Sequence, residues 1–471
     1  LNEFTPDQPY SIAVFLIGGI LVYVLPIRYA IVPLALSISL YPSTVLLPPS
    51  NIGLTPQRVI GFLLLLRCLT TPAVRGKFKW GAVDSAAAFY FVMLTISQII
   101  TQGPAKAINN RGGFFLSALV PFWCVRLLVT DRAALYALIK GWLWGAIPMA
   151  IGGVYQFITG DHPVFELLKY GVPKIDPAKS QRPVDMRMML GAMHFRASCP
   201  FLQSIMFGWF FALMVGFSTN LFWEKRKIIP WIIPWCVLPV GIICAIAGGP
   251  MMLAALSMAL LGLFPFRGMW KPACVVLAIL LVVFAVVSNR NPLEILANAG
   301  FDASSSWYRV GLQKHTLSGG MSAHWIAGYG DIPAEYARFH DLCIHWIYVV
   351  VINGLMGVVG FYTFMGLCIW QLWKAKAKAT SIEDQWLLWS LLAVWIASMM
   401  SMFVVSLFAE MYFIYHMFLG VIANTPILVG GGMRHVGVLA EVDGKTVVLR
   451  YALKQGQRLA VIRPPGAPAG Q

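Results

Sequence analysis

The sequence predicts an all-α, polytopic membrane protein with about 12–13 transmembrane helices, and three observations predict it. Apolar residues make up 59% of the chain and charged residues 11%, with a mean hydropathy of +0.73. A soluble fold keeps a substantial polar exterior, which this composition does not supply. Apolar runs of about 20 residues recur, each long enough to cross a hydrocarbon core as a helix. Successive segments do not alternate polar and apolar residues, so a strand-built transmembrane barrel is excluded.

Glu3 and Asp7 precede the first long apolar run, so a span rather than a removable signal peptide is expected there. Spans are expected near 10–26, 29–49, 57–70, 82–101, 113–130, 134–159, 199–219, 227–247, 250–265, 270–288, 341–372, 385–406 and 410–429. Short loops carry Arg67, Arg75, Lys77 and Lys79, then Lys225, Arg226 and Lys227, then Arg267 and Lys271, then Lys374, Lys376 and Lys378. All fall on one side, which the positive-inside tendency assigns to the cytoplasm. The N-terminus and two long loops, about 160–198 and 289–340, then lie outside, and the C-terminus lies inside. Residues 1–430 are expected to form a transmembrane domain and 431–471 a small cytoplasmic tail. In that tail GVLAEVDGKTVVLRY alternates around Asp443-Gly444, as a β-hairpin would.

The net charge of +16 does not point to nucleic acid. Cytoplasmic loops facing anionic lipid, together with two basic outer loops, account for it. The first outer loop carries Lys169, Lys174, Lys179, Arg182, Arg187 and Arg196; the second carries Arg290, Arg309, Lys314 and Arg338. Basic loops flanking the same helices would funnel an anion to the membrane surface. Phe301–Gly360 is polar over its first two thirds, with Arg309, Arg338, Asp331, Glu335, His315, His324, His340 and His345, and then becomes an apolar run. A polar lead into the bilayer of this kind is where a membrane protein's site is sought. Guanidinium forks bind phosphate oxygens in pairs and stay charged, and a histidine beside them accepts a proton near neutral pH. Such parts suit transfer of a group away from a lipid diphosphate, the arginines stabilising charge on the leaving group.

Other features have plainer readings. The eight cysteines show no CxxC or metal-like spacing and read as small buried residues. Neither outer loop has an Asp-x-Asp pair or a His/carboxylate cluster spaced for a cation, so no metal or other cofactor is expected. His194, His315 and His324 read as ordinary polar loop residues, and Glu410 as a solvated residue between the last two spans. Trp307, Trp325 and Trp346 read as an interfacial aromatic belt.

Three pieces of 301–360 stand out: SSWYRVGLQKH, WIAGYGD and HDLCIHWIYVVVINGLMGVVGF; upstream, HFRASCPFLQSIMFG adds a fourth. They resemble the C-terminal signature of the O-antigen polymerase and O-antigen ligase family, bacterial enzymes that build or attach surface polysaccharides. The matching features are an arginine opening a short helix, a Gly-x-Gly turn, a histidine-led helix start ending in Gly-Leu-x-Gly, and a periplasmic arginine before a helix. Asp341 stands where an asparagine is common in that family. The resemblance implies a C-type glycosyltransferase fold in the bacterial inner membrane with a periplasmic site. A glycan would leave undecaprenyl diphosphate with inversion and without a metal. Arg196 and Arg309, with Arg338, would hold the diphosphate. His340, with His345 as the alternative, would orient or deprotonate the attacking hydroxyl, and Glu335 or Asp341 would fix its tautomer. Polymerisation of repeat units is the expected activity; ligation of glycan to a lipid A core or a protein is the alternative. The implied partners are an undecaprenyl-diphosphate-linked glycan donor, a glycan or lipid A core acceptor, membrane lipid, and a chain-length regulator and flippase. An alternative of another class is a flippase for lipid-linked sugars, which would carry charges through the middle of several helices; the spans here are nearly charge-free.

Overall fold

A computed structural model describes residues 9–42, 46–47, 53–164, 186–189, 192–201, 203–224, 229–269, 279, 303–319, 321, 324–336, 342–429, 434–442 and 445–453. The chain is mostly helical. Its principal helices are α1 (Pro9–Val24), α2 (Val32–Leu40), α3 (Pro56–Thr70), α4 (Ala82–Gln102), α5 (Pro104–Leu128) and α6 (Arg132–Thr159). A hairpin of β1 (Met186–Met189) and β2 (Ala192–Phe195) follows, then α7 (Ser204–Ser218), α8 (Ile229–Ala245), α9 (Gly248–Gly262) and α10 (Ala303–Leu317). The last helices are α11 (His345–Lys376), α12 (Ile382–Ser401) and α13 (Glu410–Ala423). The expected span at 270–288 lies outside the described residues, apart from Ile279.

Among the described residues five helices are long and apolar enough to cross a membrane: α4, α5, α6, α7 with its 3₁₀ extension to Trp223, and α11; five further apolar helices there are shorter. The 21 residues of α4 rise about 30 Å, the thickness of a hydrocarbon core. Large apolar side chains cover the outside of the bundle: Ile151 and Ile158 on α6 are 67% and 69% exposed. Water would penalise that surface, whereas lipid does not. Within, α7 packs on α8 and α9, α11 on α4, α9 on α12, and α13 on the second half of α5. The core between them is aromatic: Trp142, Trp209, Phe207, Phe210 and Phe217 are all fully buried.

Polar contacts mark two ends. At one end Arg126 closes α5 by donating to both carboxylate oxygens of Asp84, at 3.0 and 2.7 Å, at the start of α4. Its Nη1 also donates to Asn424 Oδ1 just past α13. The same end holds Arg132–Asp384 (2.5 Å), Lys140–Glu224 (2.6 Å) and Arg267–Gln385 (2.9 Å). Because successive helices alternate in direction, the described short basic loops belong to this end. The opposite end gathers the C-termini of α4, α6, α8 and α12 and the N-termini of α7, α9, α11 and α13. The sequence pieces singled out above lie there. Beyond the bundle, β3 (Arg434–Val442) pairs antiparallel with β4 (Lys445–Leu453), Val442 opposite Lys445; residues 443–444 lie outside the described residues.

Candidate functional site

The site end is built on a broken helix. In α11, Gly354 has φ 59° and ψ −156°, so the intrahelical ladder stops there. The peptide groups this strands must find partners inside the protein, since lipid offers none. Trp325–Gly330 supplies them. Tyr329 and Gly330 N–H donate to the carbonyls of Val351 (2.8 Å) and Ile352 (2.9 Å), while Leu355 and Met356 N–H donate to those of Trp325 (2.7 Å) and Ile326 (3.2 Å). Gly328 and Gly330 take φ of 71° and 74°. A Cβ on Gly328 would stand 2.6 Å from the backbone nitrogens of Asn353 and Gly354, so only glycine lets the two backbones meet. Ser97 on α4 locks the plug by donating to Ala327 O at 2.8 Å.

A second gathering point is residues 402–407, between α12 and α13. Arg309, midway along α10, donates from Nε to Val404 O (2.9 Å). His345 donates its N–H to Met402 O (3.0 Å), and its Nδ1 accepts the Leu407 N–H (3.2 Å) in a site where the ring is buried. A neutral imidazole accepting at Nδ1 carries its proton on Nε2, and that atom has no hydrogen-bond partner among the described residues. Here His345 is therefore a donor. Arg196 is pinned nearby. Gln156 at the end of α6 accepts from the Ser198 and Cys199 N–H groups (2.8 and 3.1 Å), and Ala197 N–H donates to Cys244 O (2.9 Å). So held, Arg196 is buried and donates from Nε to Ala245 O (3.2 Å). Gly249, four residues on, packs on Val404: a Cβ there would meet Val404 Cγ2 at 3.5 Å. Arg309 and His345 thus share the backbone of 402–407, and Arg196 is held on Ala245, four residues before the glycine that packs on Val404.

Ala409 and Tyr412, at the end of this connection, form part of the wall of a cavity of about 390 Å³ between α4, α5, α11 and α13. Two arginines line it. Arg58 donates from Nε to Ser117 Oγ (2.9 Å) and from Nη1 to Gly53 O. Ser117 sits in a π-helical turn, Phe115–Leu119, that interrupts α5; such turns displace one residue from the regular face. Gly113 leaves space for the guanidinium, since a Cβ there would lie 3.2 Å from Arg58 Nη2. Arg111 donates from Nη2 to Asn353 Oδ1 (2.6 Å), the residue just before the break in α11, while its buried Nε has no partner among the described residues. Among the described residues neither guanidinium meets a carboxylate. Asp331, the one acid in the lining, is exposed and lies 3.6 Å from Lys106. Tyr90, Phe114, Tyr348 and Tyr412 supply aromatic walls. Two half-buried cations with neutral partners give the cavity a positive character suited to an anion.

Of the residues expected from sequence, Arg309 and His345 both bond the 402–407 connection, while Arg196 bonds Ala245 at the same end of the bundle. Arg338, His340 and Asp341 lie outside the described residues, and Glu335 lies in the short 3₁₀ turn Ala334–Tyr336. Glu410, expected as solvated, is instead 1% exposed in the first turn of α13. There the positive end of the helix dipole favours a carboxylate. His194 stacks on Phe157 with ring centroids 4.6 Å apart, and His324 lies 4.1 Å from Tyr329. Sequence reasoning did not single out Arg58 and Arg111. The available signal was an arginine inside the apolar run 57–70 and another two residues ahead of the run at 113, both rare placements in a span. Among the described residues no three His, Cys, Asp or Glu side chains are grouped to hold a metal ion. No family model matches the chain, and no curated protein matches its sequence.

Proposed function

We propose that the chain is a membrane glycosyltransferase of C-type architecture. In this reading it moves a glycan from undecaprenyl diphosphate onto a hydroxyl of a second lipid-linked unit, at the periplasmic face of the inner membrane. One observation supports the reading: Arg309 and His345, from separate stretches of chain, both bond the backbone of residues 402–407 beside a cationic cavity, and Arg196 is held on Ala245 at the same end of the bundle. The acceptor oxygen attacks the anomeric carbon, the bond from that carbon to the diphosphate oxygen breaks, and the leaving diphosphate keeps the electron pair. Arg196 and Arg309, with Arg338, neutralise the charge that grows on it. Holding each Nε on a carbonyl fixes the plane of the guanidinium before substrate arrives, so no reorganisation is needed in the transition state. His340 takes the acceptor's proton, with Asp341 or Glu335 fixing its tautomer. His345, a donor through Nε2, orients an oxygen rather than deprotonating it.

The test is a purified protein given one lipid-linked repeat unit. A ladder of products supports polymerisation; transfer only after a lipid A core is added reads as ligation; no product with either acceptor removes the glycosyltransferase reading. In the same assay Arg309→Ala should lower kcat/KM by about 10²–10³-fold, the usual loss when one charge-stabilising donor is removed. Near-normal turnover of that variant would end its proposed role.

A further inference from the structure

The cavity holding Arg58 and Arg111 offers more than positive charge. Gln98, 2% exposed, lines it and donates from Nε2 to Gln102 Oε1 (2.9 Å), which leaves Gln98 Oε1 as a buried acceptor with no partner among the described residues. Arg111 Nε is likewise a buried donor with no partner among the described residues. An inorganic anion or a bare diphosphate satisfies donors only. A ligand that answers both atoms carries an acid group and a hydroxyl on one scaffold. Tyr90, Phe114, Tyr348 and Tyr412 give that scaffold flat walls of the kind on which the C–H faces of a sugar ring pack. The volume, about 390 Å³, lies at the lower end of the range for small-molecule sites, which suits one or two sugar rings. Ala409 and Tyr412, which follow residues 402–407 closely in the chain, are part of its wall, so the cavity adjoins the proposed reaction centre.

We propose that this cavity is a subsite for an acidic sugar, a hexuronate-type residue of the glycan. Its carboxylate meets Arg111 and Arg58, and one hydroxyl donates to Gln98 Oε1. The proposal rests on the glycosyl-transfer reading for the source of the ligand but not for the binding itself.

The test uses the full chain in lipid nanodiscs, titrated with methyl glucuronide, methyl glucoside and inorganic pyrophosphate, with binding followed by saturation-transfer NMR. Methyl glucuronide should bind about tenfold more tightly than methyl glucoside, the worth of one well-placed charge-assisted contact. Asn353→Asp, nearly isosteric, sets a carboxylate on Arg111 and should remove that preference. Arg58→Gln should reduce the preference by the same route without touching the break in α11. Gln98→Ala should weaken both sugars. Equal binding of the two glycosides would overturn the proposal. So would pyrophosphate binding more tightly than the glucuronide and being lost in Asn353→Asp, which would make the cavity the diphosphate site instead. Because no turnover is measured, glucuronide binding without transfer would sink the glycosyltransferase reading alone, and transfer without glucuronide preference would sink the subsite alone.

Discussion

Arg126 and Asp84 form a fully buried bidentate pair, 7% and 0% exposed, and Arg126 also reaches the Lys79 carbonyl (3.3 Å). Deleting one partner strands the other's charge. Arg126→Met or Asp84→Asn should therefore cost about 3–5 kcal/mol of stability, measured by equilibrium unfolding in mixed micelles. The double variant Arg126→Met/Asp84→Leu should recover most of it; a double variant as unstable as the singles would show that the pair does something other than neutralise itself. His162, past the end of α6 and outside the spans, gives a pH prediction. Burial pushes its imidazole down to about 4, hydrogen bonding to backbone at Phe201 opposing this, against 6.5 in an exposed chain. Between those values the unfolded chain binds more protons, so stability is complete above about 6.5 and declines as pH falls towards 4. His162→Gln should flatten that slope in thermal melts at pH 7.5 and 5; identical slopes would refute the assignment.

Two elements depart from regular helix, and both departures place side chains at the site. The break in α11 lets Asn353 reach Arg111, and the π-turn in α5 lets Ser117 reach Arg58. Gly354→Ala would put a Cβ 2.6 Å from the Ile326 carbonyl carbon in a backbone region open only to glycine. It should cost about 1–3 kcal/mol in backbone strain alone and abolish transfer. Gly366→Ala in the same helix has open space around it, and should instead gain about 0.5–1 kcal/mol with turnover intact. Thermal midpoints and turnover of the two variants separate a general effect on α11 from a specific one at the plug. WIAGYGD and NGLMG were legible as glycine-bearing pieces, since glycines among bulky residues signal a backbone that must turn or approach closely. That the first closes the second was not legible: nothing local to either piece says which backbone its N–H groups will meet.

Across the bundle, the short basic loops and the broken-helix site lie at opposite ends. This makes orientation testable without any assay of activity. A membrane-impermeant maleimide should label Asp331→Cys in intact spheroplasts and Lys378→Cys only after permeabilisation, with the unsubstituted protein as background. Both positions are exposed. The reverse pattern would put the site in the cytosol and remove the periplasmic reading.

Class was decided by the amino-acid sequence, because crossing a bilayer is a property each segment carries in its own length and hydropathy. The basic outer loops and the family resemblance marked Arg196, Arg309 and Arg338, with His340 ahead of His345; Arg338 and His340 lie outside the described residues. Hydropathy started α5 nine residues late, at 113 instead of Pro104, since Lys106, Asn109, Asn110 and Arg111 hide a helical turn beneath polar side chains. Only the tertiary structure joined Arg58 and Arg111 in one cavity, buried Glu410, and made the backbone of 402–407 the meeting point of α10 and α11. Spans that are apolar all round show no preferred face in sequence. Which of them pack together, and which carbonyl a given arginine finds, is set by close packing of small residues and bulky rings between helices far apart in the chain.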